Sequence, residues 1–183
     1  MNQAFGAFLG AIAGAVVALT TSIITNIVST RNERAKSEAA KHAAHVEALR
    51  GSVATVFSYF FAIQHAINWL TWIAKFDPSA LDAESIKSYD NEVHDAMPKL
   101  LGAMATVASL NLNVYDDLQQ LCERLYDLDR TVAVSLRAPG TVEATEAAHH
   151  ELERSWEKAR QLERVLPQQV AEFMASAETR AVR

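Results

Sequence analysis

The chain is short of almost everything that cross-links, turns or charges a protein at its start. Its single cysteine, Cys122, excludes a disulfide framework and a cysteine-rich zinc module. Six glycines and four prolines in 183 residues are too few for a disordered linker or for an all-β fold full of tight turns. Basic residues are in deficit, 17 against 22 acidic, and a net charge of -5 argues against a dedicated nucleic-acid binder. The most informative absence is local. Residues 1–30 contain no Asp, Glu, Lys or Arg, so every charged side chain lies in residues 31–183.

What fills that uncharged stretch is apolar or small. From Phe5 to Val28 the large residues include Phe8, Leu9, Ile12, Val16, Val17, Leu19, Ile23, Ile24 and Ile27, set among Ala, Gly, Ser and Thr. As a helix this run spans roughly 36 Å, against a hydrocarbon core of about 30 Å. A transmembrane helix is expected. A cleaved signal peptide fits less well, because nothing basic precedes the run and it is long, although Ala13-Gly14-Ala15 has the small residues of a cleavage site. A core helix of a soluble protein is the other rival, and 30 uncharged residues at one end disfavour it.

Flanking charge sets an expected orientation. Arg31, Arg34, Lys36 and Lys41 follow the run, with Arg50 beyond them, and no charged side chain precedes it. Cationic flanks stay on the cytoplasmic side, so the short N-terminus is expected outside and residues 31–183 in the cytoplasm. An unpaired cysteine agrees with that compartment. The basic segment also suits anionic headgroups, at about 1 kcal/mol per cation near the surface.

Within the run, Gly6, Gly10 and Gly14 recur every four residues, and Ala18 and Ser22 continue the row. Small residues let helix backbones approach closely in lipid, where packing rather than water exclusion drives association. The row predicts a self-association face. Ser22, Thr25 and Asn26 add hydrogen-bonding groups beside it, and a water-lined pore is the less favoured use of that polar row.

The rest reads as long helices. Val46, Leu49, Val53, Val56, Phe60, Ile63, Ile67, Leu70 and Ala74 follow one another at spacings of three and four, the seam of a packed helix. Phe57, Phe61, Trp69, Trp72 and Ile73 broaden the seam, so more than one neighbour is expected to cover it. Asp77-Pro78-Ser79 stops this helix, since the residue before proline is pushed from helical angles. A second helix over 83–109 carries Ile86, Tyr89, Val93, Met97, Leu100, Met104 and Val107, with a kink expected at Pro98. Asn113 is the expected N-cap of a third, 113–137, seamed by Val114, Leu118, Leu121, Leu125, Leu128 and Val132. A fourth, 141–180, follows Pro139-Gly140 and carries Leu152, Trp156, Ala159, Leu162 and Leu166.

The expected fold is therefore all-α: an N-terminal single transmembrane helix (1–30), a polar stalk (31–45) and an antiparallel up-down four-helix bundle (46–183). Short connections favour antiparallel neighbours, which brings the tail around Val170 back toward the stalk. Residues 31–75 hold six basic and three acidic side chains, whereas 76–130 hold four and eleven. That acidic middle reads as a solvated face.

No chemistry emerges. Glu146 and His149 form a lone Glu-x-x-His, where a di-iron bundle needs two. Glu38, His42 and His45 share one face of the stalk, but solvated polar residues explain them better than metal binding. Glycines outside the anchor are isolated, so no phosphate-cradling loop exists. Cys122 flanks a seam as a small buried hydrophobe would, and His65 with Trp69 reads as core packing before it reads as the border of a ligand pocket. The chain is expected to be non-enzymatic, with no catalytic, cofactor or metal residues, acting by self-association and protein contact. Lipid and further copies of itself are the expected partners, with room for a cytoplasmic protein partner and none for nucleic acid. The alternative is a holin-like or defence-type membrane-permeabilising effector; a metal-dependent bundle enzyme ranks last.

Overall fold

The computed structural model describes the backbone of residues 2–137 and 142–180, and the side chains of 25–26, 29–137 and 146–175. It is all-helical: among the described residues there is no strand. The order is α1 (Asn2–Phe76), a 3-10 turn (Pro78–Ala80), α2 (Ala83–Leu110), α3 (Leu112–Leu136) and α4 (Val142–Arg180). The turn expected at Pro139-Gly140 lies outside the described residues. By internal contact the chain divides into two units, Met1–Ala44 and His45–Arg183. The first consists of the N-terminal part of α1. The second is a helical bundle with its own core.

Within the bundle the seam of α1 is buried as its spacing implies from Leu49 onward, and its first member, Val46, is half-buried. Leu49, Val53, Val56, Phe60, Ile63, Ile67, Leu70 and Ala74 are each 0% exposed. They meet Leu100, Met104 and Val107 of α2, Val114 to Val132 of α3, and Leu152, Ala159, Leu162 and Leu166 of α4 in one cluster. At about 1.5–3 kcal/mol for each large aliphatic or aromatic side chain removed from water, this cluster is the main source of stability.

Individual contacts fix the direction of two helix pairs. Along α1 and α4, Phe57 meets Phe173 with ring centroids 5.8 Å apart, Gln64 Nε2 donates to the Ala159 carbonyl at 3.1 Å, and Phe76 meets Trp156 at 5.1 Å. Numbers rise on one helix as they fall on the other, so the pair is antiparallel. Tyr89 with Asp129, and Met104 with Cys122, show the same for α2 and α3. Helix α3 packs against both α2 and α4. Phe173 therefore sits on the bundle core beside Phe57, and Met174 borders a shallow hollow with Glu47, Arg50 and Ala54.

The helix ends differ in detail from expectation. Asn111, not Asn113, caps α3: its extended backbone (φ -157°) ends α2 and its side chain accepts from the Val114 amide at 3.1 Å. One residue thus serves two termini, and the connection shrinks to a single position. At the start of α2, the Asp82 carboxylate accepts from the Glu84 and Ser85 amides while Ser85 Oγ accepts from the Asp82 amide, a capping box. The Ser85 hydrogen bonds hold the Asp82 carboxyl below its ordinary pKa. Pro98 and Pro167 both lie inside helices that run on past them.

Among the described residues, Ser29–Phe76 is the one stretch long and apolar enough to cross a membrane, a test that a core helix passes as well. From Leu49 to Ala74 its buried apolar side chains belong to the bundle core, while Phe61, Trp69, Trp72 and Phe76 are exposed. The uncharged run Phe5–Val28 lies almost wholly outside the residues whose side chains are described.

A buried polar contact ties α2 to α3. Tyr89 Oη donates to Asp129 Oδ1 at 2.5 Å, with Tyr89 3% exposed. Burial, and then the carboxylate itself, push the phenol well above its ordinary value. Burial also raises the Asp129 carboxyl, outweighing the phenol hydrogen bond that pulls it down; nearby Asp90 adds to the rise and Arg137 opposes it. A carboxyl whose folded pKa exceeds its unfolded value stabilises the fold below the unfolded value, and that contribution is lost as pH rises through the folded value. Asp129→Asn keeps an acceptor for Tyr89 and removes the charge. The stability of the variant relative to the parent should therefore rise between about pH 3 and pH 7, read from denaturant melts in detergent at both pH values. A constant difference would show that the carboxylate carries no burial penalty.

Candidate anchor and aromatic groove

The self-association row Gly6, Gly10, Gly14, Ala18 and Ser22 lies outside the residues whose side chains are described; their backbone is helical. The basic residues Arg31, Arg34, Lys36 and Lys41 are all exposed, as is every residue from Ser29 to Ala44. Arg31 and Arg34 border a shallow hollow of about 290 Å³ with Asn26 and Thr30. The Thr30 hydroxyl donates back to the Asn26 carbonyl at 2.8 Å, which satisfies it within the helix. This surface offers cations to solvent, beside an exposed alanine stripe formed by Ala35, Ala39 and Ala43.

The groups with some claim to chemistry are dispersed. No three His, Cys, Asp or Glu side chains among the described residues converge as metal ligands. His149 and His150 both turn to Glu153, at 3.6 and 3.4 Å, on the outer side of α4. Cys122 is 1% exposed, lies 4.0 Å from the Met104 sulfur, and has its thiol pushed up to about 12 by burial. A thiol so placed is not poised for attack.

The feature that sequence reasoning missed is an aromatic groove between α1 and α4. The breadth of the α1 seam predicts that neighbouring helices cover Phe61, Trp69 and Trp72. Instead they are 43%, 53% and 42% exposed, and Phe76 is 54% exposed. Trp69 and Trp72, three residues apart, stack at 5.7 Å with their planes 11° apart. Trp72 then meets Phe76 at 5.9 Å, and Phe76 meets Trp156 edge-on. The groove beside them holds about 460 Å³, and His65, Asn68, Arg160 and Glu163 complete its lining. The chain's three tryptophans are all here.

Both signs of charge flank the rings, and each is matched. Lys75 Nζ lies 2.7 Å from Glu157 and 4.2 Å from the centre of the Trp156 ring, a cation–π contact. Arg160 pairs with Glu163, and Asn68 Nδ2 donates to the same carboxylate at 3.4 Å. Beneath the groove the α1–α4 seam is unusually polar. Gln64 and Ser155 are buried, and Gln64 Oε1, Asn68 Oδ1 and Ser155 Oγ have no hydrogen-bond partner. Unpaired buried groups of this kind cost about 1–3 kcal/mol each. Nothing in the 3–4 spacing reveals the groove, because Trp69 and Trp72 satisfy a hydrophobic pattern whether or not anything covers them.

Comparison with protein-family models, with characterised proteins and with solved structures finds no match.

Proposed function

We propose that the chain is a single-pass membrane protein whose first 30 residues lie in the bilayer and whose bundle lies in the cytoplasm. It works without catalysis, by self-association and protein contact. The carrying observation is the charge boundary: 30 uncharged residues, then Arg31, Arg34, Lys36 and Lys41, all exposed. In this reading the four helices of the bundle run up, down, up and down. The antiparallel α1–α4 and α2–α3 pairs and the short connections support that wiring. The Gly6, Gly10 and Gly14 row brings anchors together, and Arg31 to Lys41 hold the headgroup surface on the cytoplasmic side.

The test is crosslinking of the full-length chain in native membranes. Gly10→Leu fills the close-approach row, and the yield of crosslinked dimer should fall several-fold, since packing at such rows is the main attraction between helices in lipid. An unchanged yield would leave the row as a lipid-facing coincidence. Dye leakage from expressing cells discriminates the permeabilising alternative: leakage that rises with expression and falls with Gly10→Leu would favour it over a contact protein.

A further inference from the structure

The exposed aromatics of α1 are not scattered. Phe61, His65, Trp69, Trp72 and Phe76 follow one another at spacings of 4, 4, 3 and 4, and all five are exposed. This is a second seam, laid beside the buried one, with heptad-like spacing that suits a packed helix rather than a small molecule. Its residue types are those that dominate protein interfaces, with Trp156 and Arg160 at its border. We infer that this seam is a contact between two copies of the chain, with the α1 helices parallel and in register. The inference rests on the proposed membrane anchoring, which gives all copies one orientation.

Charge favours a second copy over a basic partner. From His45 onward, acidic residues outnumber basic ones by 20 to 13, so two such bodies repel over most of their surface. At this face the repulsion is absent: Lys75 is matched by Glu157, and Arg160 by Glu163. A neutral face carrying both signs is complementary to itself, which a two-fold contact requires.

Length explains why the contact needs the anchor. From Phe61 to Phe76 the seam covers about two heptads, short of the three to four that mark a sustained coiled coil. Tethering raises the effective concentration of the second copy to the order of millimolar, and a weak contact is then occupied.

In a parallel, in-register pair each seam residue lies near its own counterpart, so His65→Cys should form a disulfide between copies when full-length protein in native membranes is oxidised. Buried Cys122 does not compete. Gly102→Cys, at an exposed position on α2, serves as the control and should give little dimer. Adding Trp69→Ala and Trp72→Ala to His65→Cys should lower the dimer yield about thirtyfold, the loss that corresponds to one interface hot spot. Both tryptophans lie outside the buried core, and an unchanged thermal melt shows that the fold survives.

The outcomes separate the two readings. Loss of the His65→Cys dimer with the tryptophan substitutions supports the seam, whether or not Gly10→Leu also removes it; if Gly10→Leu has no effect, the glycine row fails alone. A His65→Cys dimer that ignores the tryptophan substitutions overturns the seam, even where Gly10→Leu abolishes it and the anchor reading survives. Absence of any dimer in His65→Cys, or a disulfide to a different protein by mass spectrometry, also overturns it. Acrylamide quenching gives a readout without substitution: because all three tryptophans line the groove, the parent should be less quenched in crowded than in diluted membranes. Equal quenching counts against the contact.

Discussion

Replacing Val16 and Leu19 with arginine is expected to move the full-length chain from the membrane pellet to the supernatant. Both positions fall near the middle of the uncharged run, where an arginine costs about 2.5–3.5 kcal/mol on insertion. Two together cost about 5–7 kcal/mol, roughly four powers of ten in partitioning. The parent should resist extraction at alkaline pH and the double variant should not. Arg31, Arg34, Lys36 and Lys41 remain in the variant, so any residual pelleting that salt removes measures their electrostatic share. A variant that stays as firmly embedded as the parent would place the membrane segment elsewhere in the chain. Orientation is a separate question, answered by labelling cysteines at an N-terminal position and at Gly102 with an impermeant reagent in intact cells.

Adjacent phenylalanines supply the second large effect. Phe60 is 0% exposed at the centre of the core and Phe61 is 43% exposed on the outer seam. Phe60→Ala should destabilise the bundle by about 3–5 kcal/mol, a large part of the 5–15 kcal/mol that holds an ordinary domain together. Phe61→Ala, which gives up only the ring contacts to Phe57 and Phe60, should change the stability of a single copy by about 1 kcal/mol. Denaturant melts in detergent, followed by far-UV circular dichroism, measure both. The comparison also decides between two uses of α1, since Ser29–Phe76 is apolar enough to span a membrane. If lipid rather than α2, α3 and α4 covered Phe60, then Phe60→Ala and Phe61→Ala would have similar small effects on the melt.

The two substitutions also mark where a linear pattern stops being informative. Spacing of three and four identifies Leu49 to Ala74 and Val114 to Val132, and those side chains are the core, because helical geometry places such residues on one stripe and water drives that stripe inward. The same rule applied to Phe61, Trp69 and Trp72 predicts cover that the folded chain does not supply. A stripe states that burial is favourable; whether a neighbour arrives depends on how the other helices are placed. Capping shows a similar split. Ser85 closes a box with Asp82 where the usual partner is Glu or Gln, so only the folded backbone reveals it, and Asn111 and Asn113 flank a single leucine and compete for one cap. The shorter connection won.

The order of amino acids on its own determined the helical class, the seams of four helices, the break at Pro78 and the abrupt onset of charge at Arg31. Each follows from local rules of turn geometry and solvation that act within a few residues. Only the tertiary structure decided that Gln64 reaches the Ala159 carbonyl across the α1–α4 seam, that Tyr89 finds Asp129, and that three tryptophans distant by up to 87 positions share one groove. Those pairings depend on which helix faces which, a choice made by the summed packing of the whole core. No single segment carries it.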